Sequence, residues 1–130
     1  MQILEIKDLK KSYASPDGET LTVVDVPEFA LERGGQVALM GESGSGKTTF
    51  LNLIAGILRP DGGRIYLDGE EITALSEPER DRRRAEKIGY IFQTFNLLQG
   101  YTALANVLLG MMFGKGIDKE LALTLLERVG

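Results

Sequence analysis

One eight-residue stretch limits what this chain can fold into more than any other. Gly41-Glu42-Ser43-Gly44-Ser45-Gly46-Lys47-Thr48 satisfies every fixed position of G-x-x-x-x-G-K-[ST]. Its glycines let the backbone curl until successive N–H groups face one point, which makes a concave anion site. Lys47 adds a point charge and Thr48 a hydroxyl. The flanks supply what such a loop needs. Gln36 to Met40 is short and mostly apolar and predicts a buried strand. Thr49 to Leu58 carries Phe50, Leu51, Leu53, Ile54, Ile57 and Leu58 at helical spacing. Strand, glycine loop and helix in that order place a helix N-terminus, with its partial positive charge, at the anion. The reading is a phosphate-binding loop for a nucleoside triphosphate. Lys47 reaches the β- and γ-phosphates, and Thr48 sits on Mg²⁺.

The rest of the composition narrows the partners. A length of 130 residues suits one domain, and 43% hydrophobic residues suffice for a core. A net charge of −4 argues against an extended nucleic-acid-binding surface. The chain has no cysteine and no histidine, so disulfides and cysteine-ligated zinc are ruled out. Met1-Gln2-Ile3-Leu4-Glu5-Ile6 lacks the basic-then-apolar shape of a signal peptide. The longest apolar stretch, Ala103 to Phe113, is too short to span a bilayer. These features read as a soluble, cytoplasmic chain whose membrane contacts, if any, go through a partner.

Along the chain, Ile3 to Leu9 and Leu21 to Val26 read as strands, with Phe29 to Leu31 extended after Pro27. Ser15-Pro16-Asp17-Gly18 is a turn. The front third is therefore β-rich and antiparallel. Arg59-Pro60-Asp61-Gly62-Gly63 ends the helix after the glycine loop. Arg64 to Leu67, Asp68-Gly69 and Glu70 to Ile72 make a strand, a hairpin turn and a short return. Ser76 and Glu79 fit a capping box that opens a polar helix through Lys87. Ile88 to Phe92 predicts a compact strand. Thr102 starts a helix over Ala103 to Leu109. Ala105 stands where a capping Glu would be, so that cap is half-built. Asp118 caps a last helix with Leu121, Leu125 and Val129 on one face and Gly130 past its end. Asp81-Arg82-Arg83-Arg84 is interleaved with Glu77, Glu79 and Glu86. It reads as a salt-bridged helix face rather than a nucleic-acid surface.

Five stretches, in order, resemble the ATP-binding-cassette (ABC) ATPases. Lys10-Lys11-Ser12-Tyr13 resembles the aromatic loop, and Gly41 to Thr49 the Walker A motif. Leu53 to Ile65 resembles the segment that follows it, Asp68 to Ile72 the next hairpin, and Ile88 to Leu98 the Q-loop. Phe92 to Leu98 with Thr102-Ala103-Leu104 is most similar to the lipoprotein-release and macrolide-export branch. The resemblance implies an α/β fold: a P-loop NTPase (RecA-like) core with an antiparallel β subdomain, incomplete at the C-terminus. It also implies ATP and Mg²⁺ as ligands. Tyr13 would stack on adenine. Gly41, Ser43, Gly44, Ser45, Gly46 and Lys47 would cradle phosphate, Thr48 would ligate Mg²⁺, and Thr49 would contact the α-phosphate. Glu42 departs from the family's common proline, and its carboxylate is expected to point away from the phosphates. Gln93, by itself a surface glutamine after a strand, would be the Q-loop residue that reaches Mg²⁺ or orients water. Phe95, Leu97 and Leu98 would line either a groove for a membrane subunit or plain core.

The family's LSGGQ-type signature, Walker B strand, general base and switch histidine are absent from these 130 residues. Residues 1–130 are therefore expected to be the N-terminal part of an ABC nucleotide-binding domain. Such a part would expose apolar surface and would not hydrolyse ATP by itself. The parent would be the ATP-hydrolysing motor of an exporter. It would pair head-to-tail with a second nucleotide-binding subunit and sit on the inner face of the cell membrane through a transmembrane permease. Two other readings remain at this stage: a soluble ABC ATPase acting on nucleic acid or ribosomes, and a hydrolysis-dead nucleotide-binding interaction module.

Overall fold

The computed structural model describes residues 1–130 as two compact units, Met1–Asp81 and Arg82–Gly130. The first is built on a four-stranded antiparallel sheet in the order β2-β1-β3-β4. Its strands are β1 (Gln2–Ala14), β2 (Thr20–Glu32), β3 (Gly62–Leu67) and β4 (Glu70–Glu71). β1 and β2 are twice the length that their apolar pattern suggests. Each pairs with the other over its whole run, from Gln2 opposite Glu32 to Ala14 opposite Thr20. The alternation in β1 breaks because Asp8 adopts φ 50° and the register against β3 shifts between Lys7 and Lys10. This irregularity turns both Ile6 and Leu9 inward, and they join Leu4, Val24, Ile65, Leu67 and Ile72 in the core. The Asp68-Gly69 turn has φ 51° and 83°, the left-handed pair that a two-residue hairpin demands.

α1 (Lys47–Ile54) follows the glycine loop and buries Leu53. It is shorter than the apolar pattern predicts, because Gly56 enters the left-handed region at φ 72°. The Gly56 N–H then donates to the Leu53 carbonyl (3.1 Å) and the Ile57 N–H to the Asn52 carbonyl (2.9 Å). Those two bonds close the helix as a Schellman motif. Ile57 and Leu58 fall outside it. Phe29 of β2 meets Phe50 of α1 edge-on, with ring centroids 6.2 Å apart, which ties the helix to the sheet.

α2 (Glu77–Lys87) opens as predicted: the Glu79 carboxylate accepts from the Ser76 N–H (3.0 Å) and hydroxyl (2.7 Å). In the second unit, α3 (Ala103–Met111) is capped by Thr102 Oγ1, which accepts from the Ala105 N–H at 3.0 Å. α4 (Lys119–Val129) is capped by Asp118, which accepts from the Leu121 N–H at 2.9 Å. Asn106 Oδ1 accepts from the Leu98 N–H (2.9 Å), and its Nδ2 donates to the Thr102 carbonyl (3.0 Å), holding the preceding loop to α3.

Two expected strands do not form. Residues 36–40 and 88–92 join no sheet, and Met40 and Ile91 are 89% and 97% exposed. A strand exists through its neighbours' hydrogen bonds, and an apolar pattern alone does not supply them. The sheet that does form uses only the segments with antiparallel partners nearby in sequence or across β1.

Candidate nucleotide-binding site

The glycine loop keeps its shape without a flanking strand. Gly46 is the N-cap of α1 at φ 95°, and no side chain caps the helix. A Cβ on Gly46 would lie 2.6 Å from the Val23 carbonyl oxygen, so the loop and β2 approach as closely as glycine permits. The first intrahelical bond runs from the Phe50 N–H to the Gly46 carbonyl (2.9 Å). The N–H groups of Lys47, Thr48 and Thr49 thus open the helix with no intrahelical acceptor. No acidic residue lies in that first turn to compete for them. Gly44 is also left-handed (φ 81°), and the Ser45 N–H donates to the Glu42 carbonyl at 3.1 Å.

Lys47 folds back over the loop. Its ammonium donates to the Gly41 carbonyl, to the Glu42 carbonyl (2.8 Å) and to Ser45 Oγ (3.4 Å). One cation, three unshared helical amides and the hydroxyls of Ser43, Ser45, Thr48 and Thr49 are gathered within this single stretch. That donor set suits a polyphosphate: many donors, no acidic residue in the first turn of α1, and a positive helix terminus, with Asp25 of β2 the one carboxylate lining the adjoining cleft. Glu42 is exposed and presents its carbonyl, not its carboxylate, to Lys47. A cleft of about 360 Å³ adjoins the loop, walled by Val24, Val26, Phe29, Met40, Lys47 and Phe50.

Tyr13 stands near the end of β1, opposite Leu21 and partly exposed. It belongs to the same unit as the glycine loop. The Lys11 ammonium lies over its ring, 5.4 Å from the centroid. Gln93 belongs to the second unit, in an exposed bend. Phe95, Leu97 and Leu98 beyond it are exposed rather than packed as core. Asn96 adopts φ 51° there, and Thr94 Oγ1 donates to its Oδ1 at 3.0 Å. Sequence reasoning missed the surroundings of Tyr13. Lys11 was detectable, since two residues apart on a strand share a face. Asp61, which holds Lys11, was not, because the two lie far apart in sequence.

The ABC transporter family profile matches residues 24–130, from mid-β2 through α4. The chain belongs to that family. Among its curated ABC relatives, the lipoprotein-releasing system ATP-binding protein LolD of Pseudomonas fluorescens is 40% identical over 131 residues. That match covers 98% of this chain and 57% of the relative. The macrolide export ATP-binding/permease protein MacB of Syntrophobacter fumaroxidans is 36% identical over 140 residues, covering 100% and 19%. A dimeric ATP-binding cassette solved in a post-hydrolysis state with ADP and Pi superimposes with a TM-score of 0.86. It is 33% identical and covers 95% of this chain and 56% of its own. The chain thus has the fold of part of an ABC cassette and spans a little over half the length of its LolD relatives. No helix is long and apolar enough to cross a membrane.

Proposed function

We propose that this chain is the nucleotide-binding N-terminal part of the motor ATPase of an ABC transporter in the lipoprotein-release and macrolide-export branch. The observation that carries this reading is the uncapped start of α1, with Lys47 held inside a loop that closes on β2 through Gly46. Gly41, Ser43, Gly44, Ser45 and Gly46 cradle the phosphates of ATP with backbone N–H and hydroxyl groups. Lys47 exchanges its carbonyl partners for β- and γ-phosphate oxygens. Thr49 contacts the α-phosphate, and Tyr13 stacks on the base. Thr48 would supply a hydroxyl ligand for Mg²⁺; Gln93 rests on family resemblance alone as the residue whose amide oxygen would serve the metal or an attacking water in the intact ATPase. No group of three or more acidic side chains gathers in the chain, and Mg²⁺ would be held together with the nucleotide. The chemistry the metal would supply when bound is withdrawal of charge from the phosphates.

Hydrolysis in this family also draws on a signature loop, a Walker B aspartate and a general base, none of which these 130 residues contain. Residues 1–130 are read as binding nucleotide while contributing little turnover alone. In the intact transporter a second nucleotide-binding subunit supplies the signature loop across a head-to-tail interface. A transmembrane permease holds the ATPase at the inner face of the membrane. Similarity to transport ATPases along nearly the whole chain, together with the acidic balance, favours this over a nucleic-acid-directed ATPase.

The test is titration of the whole polypeptide with a fluorescent ATP analogue in Mg²⁺. Lys47→Ala should lose most binding, by about tenfold or more, since it removes the one cation from the phosphate site. Unchanged affinity would overturn the assignment.

A further inference from the structure

The end of β1 is fastened by a single carboxylate. Asp61, in the turn between α1 and β3, donates its N–H to the Lys10 carbonyl at 2.8 Å. Its Oδ2 accepts from the Ser12 N–H at 2.6 Å, and its Oδ1 lies 3.5 Å from the Lys11 ammonium. Three successive residues of β1 therefore meet one residue through a carbonyl, an ammonium and an amide. The Lys11 side chain is only 17% exposed although it is charged. It lies between the Asp61 carboxylate and the face of the Tyr13 ring. The pairing of β1 with β2 slips between Lys11 and Ser12, and the Ser12 and Thr22 hydroxyls share a hydrogen bond of 3.1 Å just past the slip. An irregularity of this kind re-aims the side chains that follow it, and Tyr13 is the next residue.

We infer that Asp61 and Lys11 are positioning residues that fix Tyr13 as a one-faced stacking platform for the nucleotide base. The inference rests on the reading of Tyr13 as the base-stacking residue. Lys11 covers one face of the ring by a cation–π contact, so a planar base stacks on the other. Asp61 sets where that cation sits and where β1 ends. It also follows α1, the helix whose first turn holds the phosphates. The clasp thereby fixes the distance between the base contact and the phosphate contacts. An ordinary surface ion pair would have no such consequence, and selectivity separates the two cases.

The experiment compares dissociation constants for ATP and for inorganic tripolyphosphate, which lacks the base, in the whole polypeptide and four variants. Lys11→Met and Asp61→Ala should weaken ATP binding by about two- to fivefold and leave tripolyphosphate binding unchanged. Lys11→Arg keeps the cation and should restore ATP affinity. Tyr13→Ala is the reference: it should weaken ATP selectively and by more. If Tyr13→Ala alters neither ligand, the reading of Tyr13 itself falls. If Tyr13→Ala is ATP-selective but Lys11→Met and Asp61→Ala bind like the parent, the clasp is refuted while Tyr13 stands. Equal weakening of both ligands by Lys11→Met assigns it a merely structural role and also refutes the proposal. Should Asp61→Ala not fold, Asp61→Asn and Lys11→Met carry the same comparison.

Discussion

Gly46 and Gly44 lie in one loop, both left-handed, yet the structure predicts different costs for adding a methyl group to each. At Gly44 (φ 81°) a Cβ would meet nothing within 4 Å. The cost of Gly44→Ala is then conformational alone, about 1–2 kcal/mol for an L-residue held in that region. At Gly46 (φ 95°) the same conformational term applies. In addition, the Cβ would sit 2.6 Å from the Val23 carbonyl oxygen and 3.0 Å from Val23 Cγ1. The nearest obstacle is backbone inside a paired strand, which cannot swing away as a side-chain tip can. Overpacking of this kind adds about 1–3 kcal/mol, so Gly46→Ala should cost roughly 2–5 kcal/mol in total. Gly62→Ala is the control, with no left-handed φ and open space around its Cβ, and should be nearly neutral. Urea unfolding of the three variants reads these differences as shifts in midpoint at constant slope. The expected order of loss is Gly46, then Gly44, then Gly62. If Gly46→Ala unfolds with Gly44→Ala, the loop does not abut β2 at Val23, and the account of how the anion site keeps its shape is wrong.

Two further outcomes follow from groups outside the loop. Arg80 is only 8% exposed, its stem lies against Gly56, and its Nε and Nη1 have no hydrogen-bond partner. Arg80→Met keeps the stem and removes the orphaned donors, so thermal unfolding should show unchanged stability or a gain of about 1–3 kcal/mol; a clear loss would mean the guanidinium has a partner. The Ser12 N–H and then Lys11 hold the Asp61 carboxyl below its usual value of 3.8, so its contribution to stability is complete above that value and fades as pH falls through the lowered one. The gap in urea midpoint between the parent and Asp61→Asn should therefore be full at neutral pH and close in acid; a gap that stays constant would refute the linkage.

What could be read from the sequence was mostly what a few neighbouring residues decide among themselves. The Asp68-Gly69 hairpin, the Thr102 and Asp118 caps and the reach of Glu79 back to Ser76 all depend on groups within four residues of one another. Each forms where the local chemistry puts it. Features that need a distant partner were not legible. The inward turn of both Ile6 and Leu9 comes from Asp8 and the register against β3, and strict alternation would have put one of the two outside. The Asp61 clasp joins groups 49 positions apart. The same division separates the site residues. The Walker A stretch is contiguous, so its loop and the start of α1 were legible without any distant partner. Tyr13 was placed by resemblance, but what holds it was invisible until the fold brought Asp61 beside β1.

Gln36–Met40 shows why the phosphate loop survives where its strand does not. The segment is apolar enough for a buried parallel strand, but a strand needs partners, and here Met40 stands in the open. The loop that starts one residue later relies on no strand formed by 36–40. Lys47 bonds the carbonyls of Gly41 and Glu42, the Ser45 amide bonds the Glu42 carbonyl, and Gly46 rests on Val23 of β2, a strand that pairs with β1 along its length. Three of those four ties lie within seven residues, and the fourth reaches an element already stable in the antiparallel sheet. On the proposed reading, phosphate recognition is therefore encoded locally and anchored to the antiparallel sheet through Val23. Hydrolysis, on the same reading, also needs a general base that residues 1–130 do not contain, so it cannot rest on this loop alone. Binding and hydrolysis thus rest on different amounts of folded structure. On that reading residues 1–130 should bind a fluorescent ATP analogue yet release no phosphate from ATP, and turnover by this chain alone would refute it.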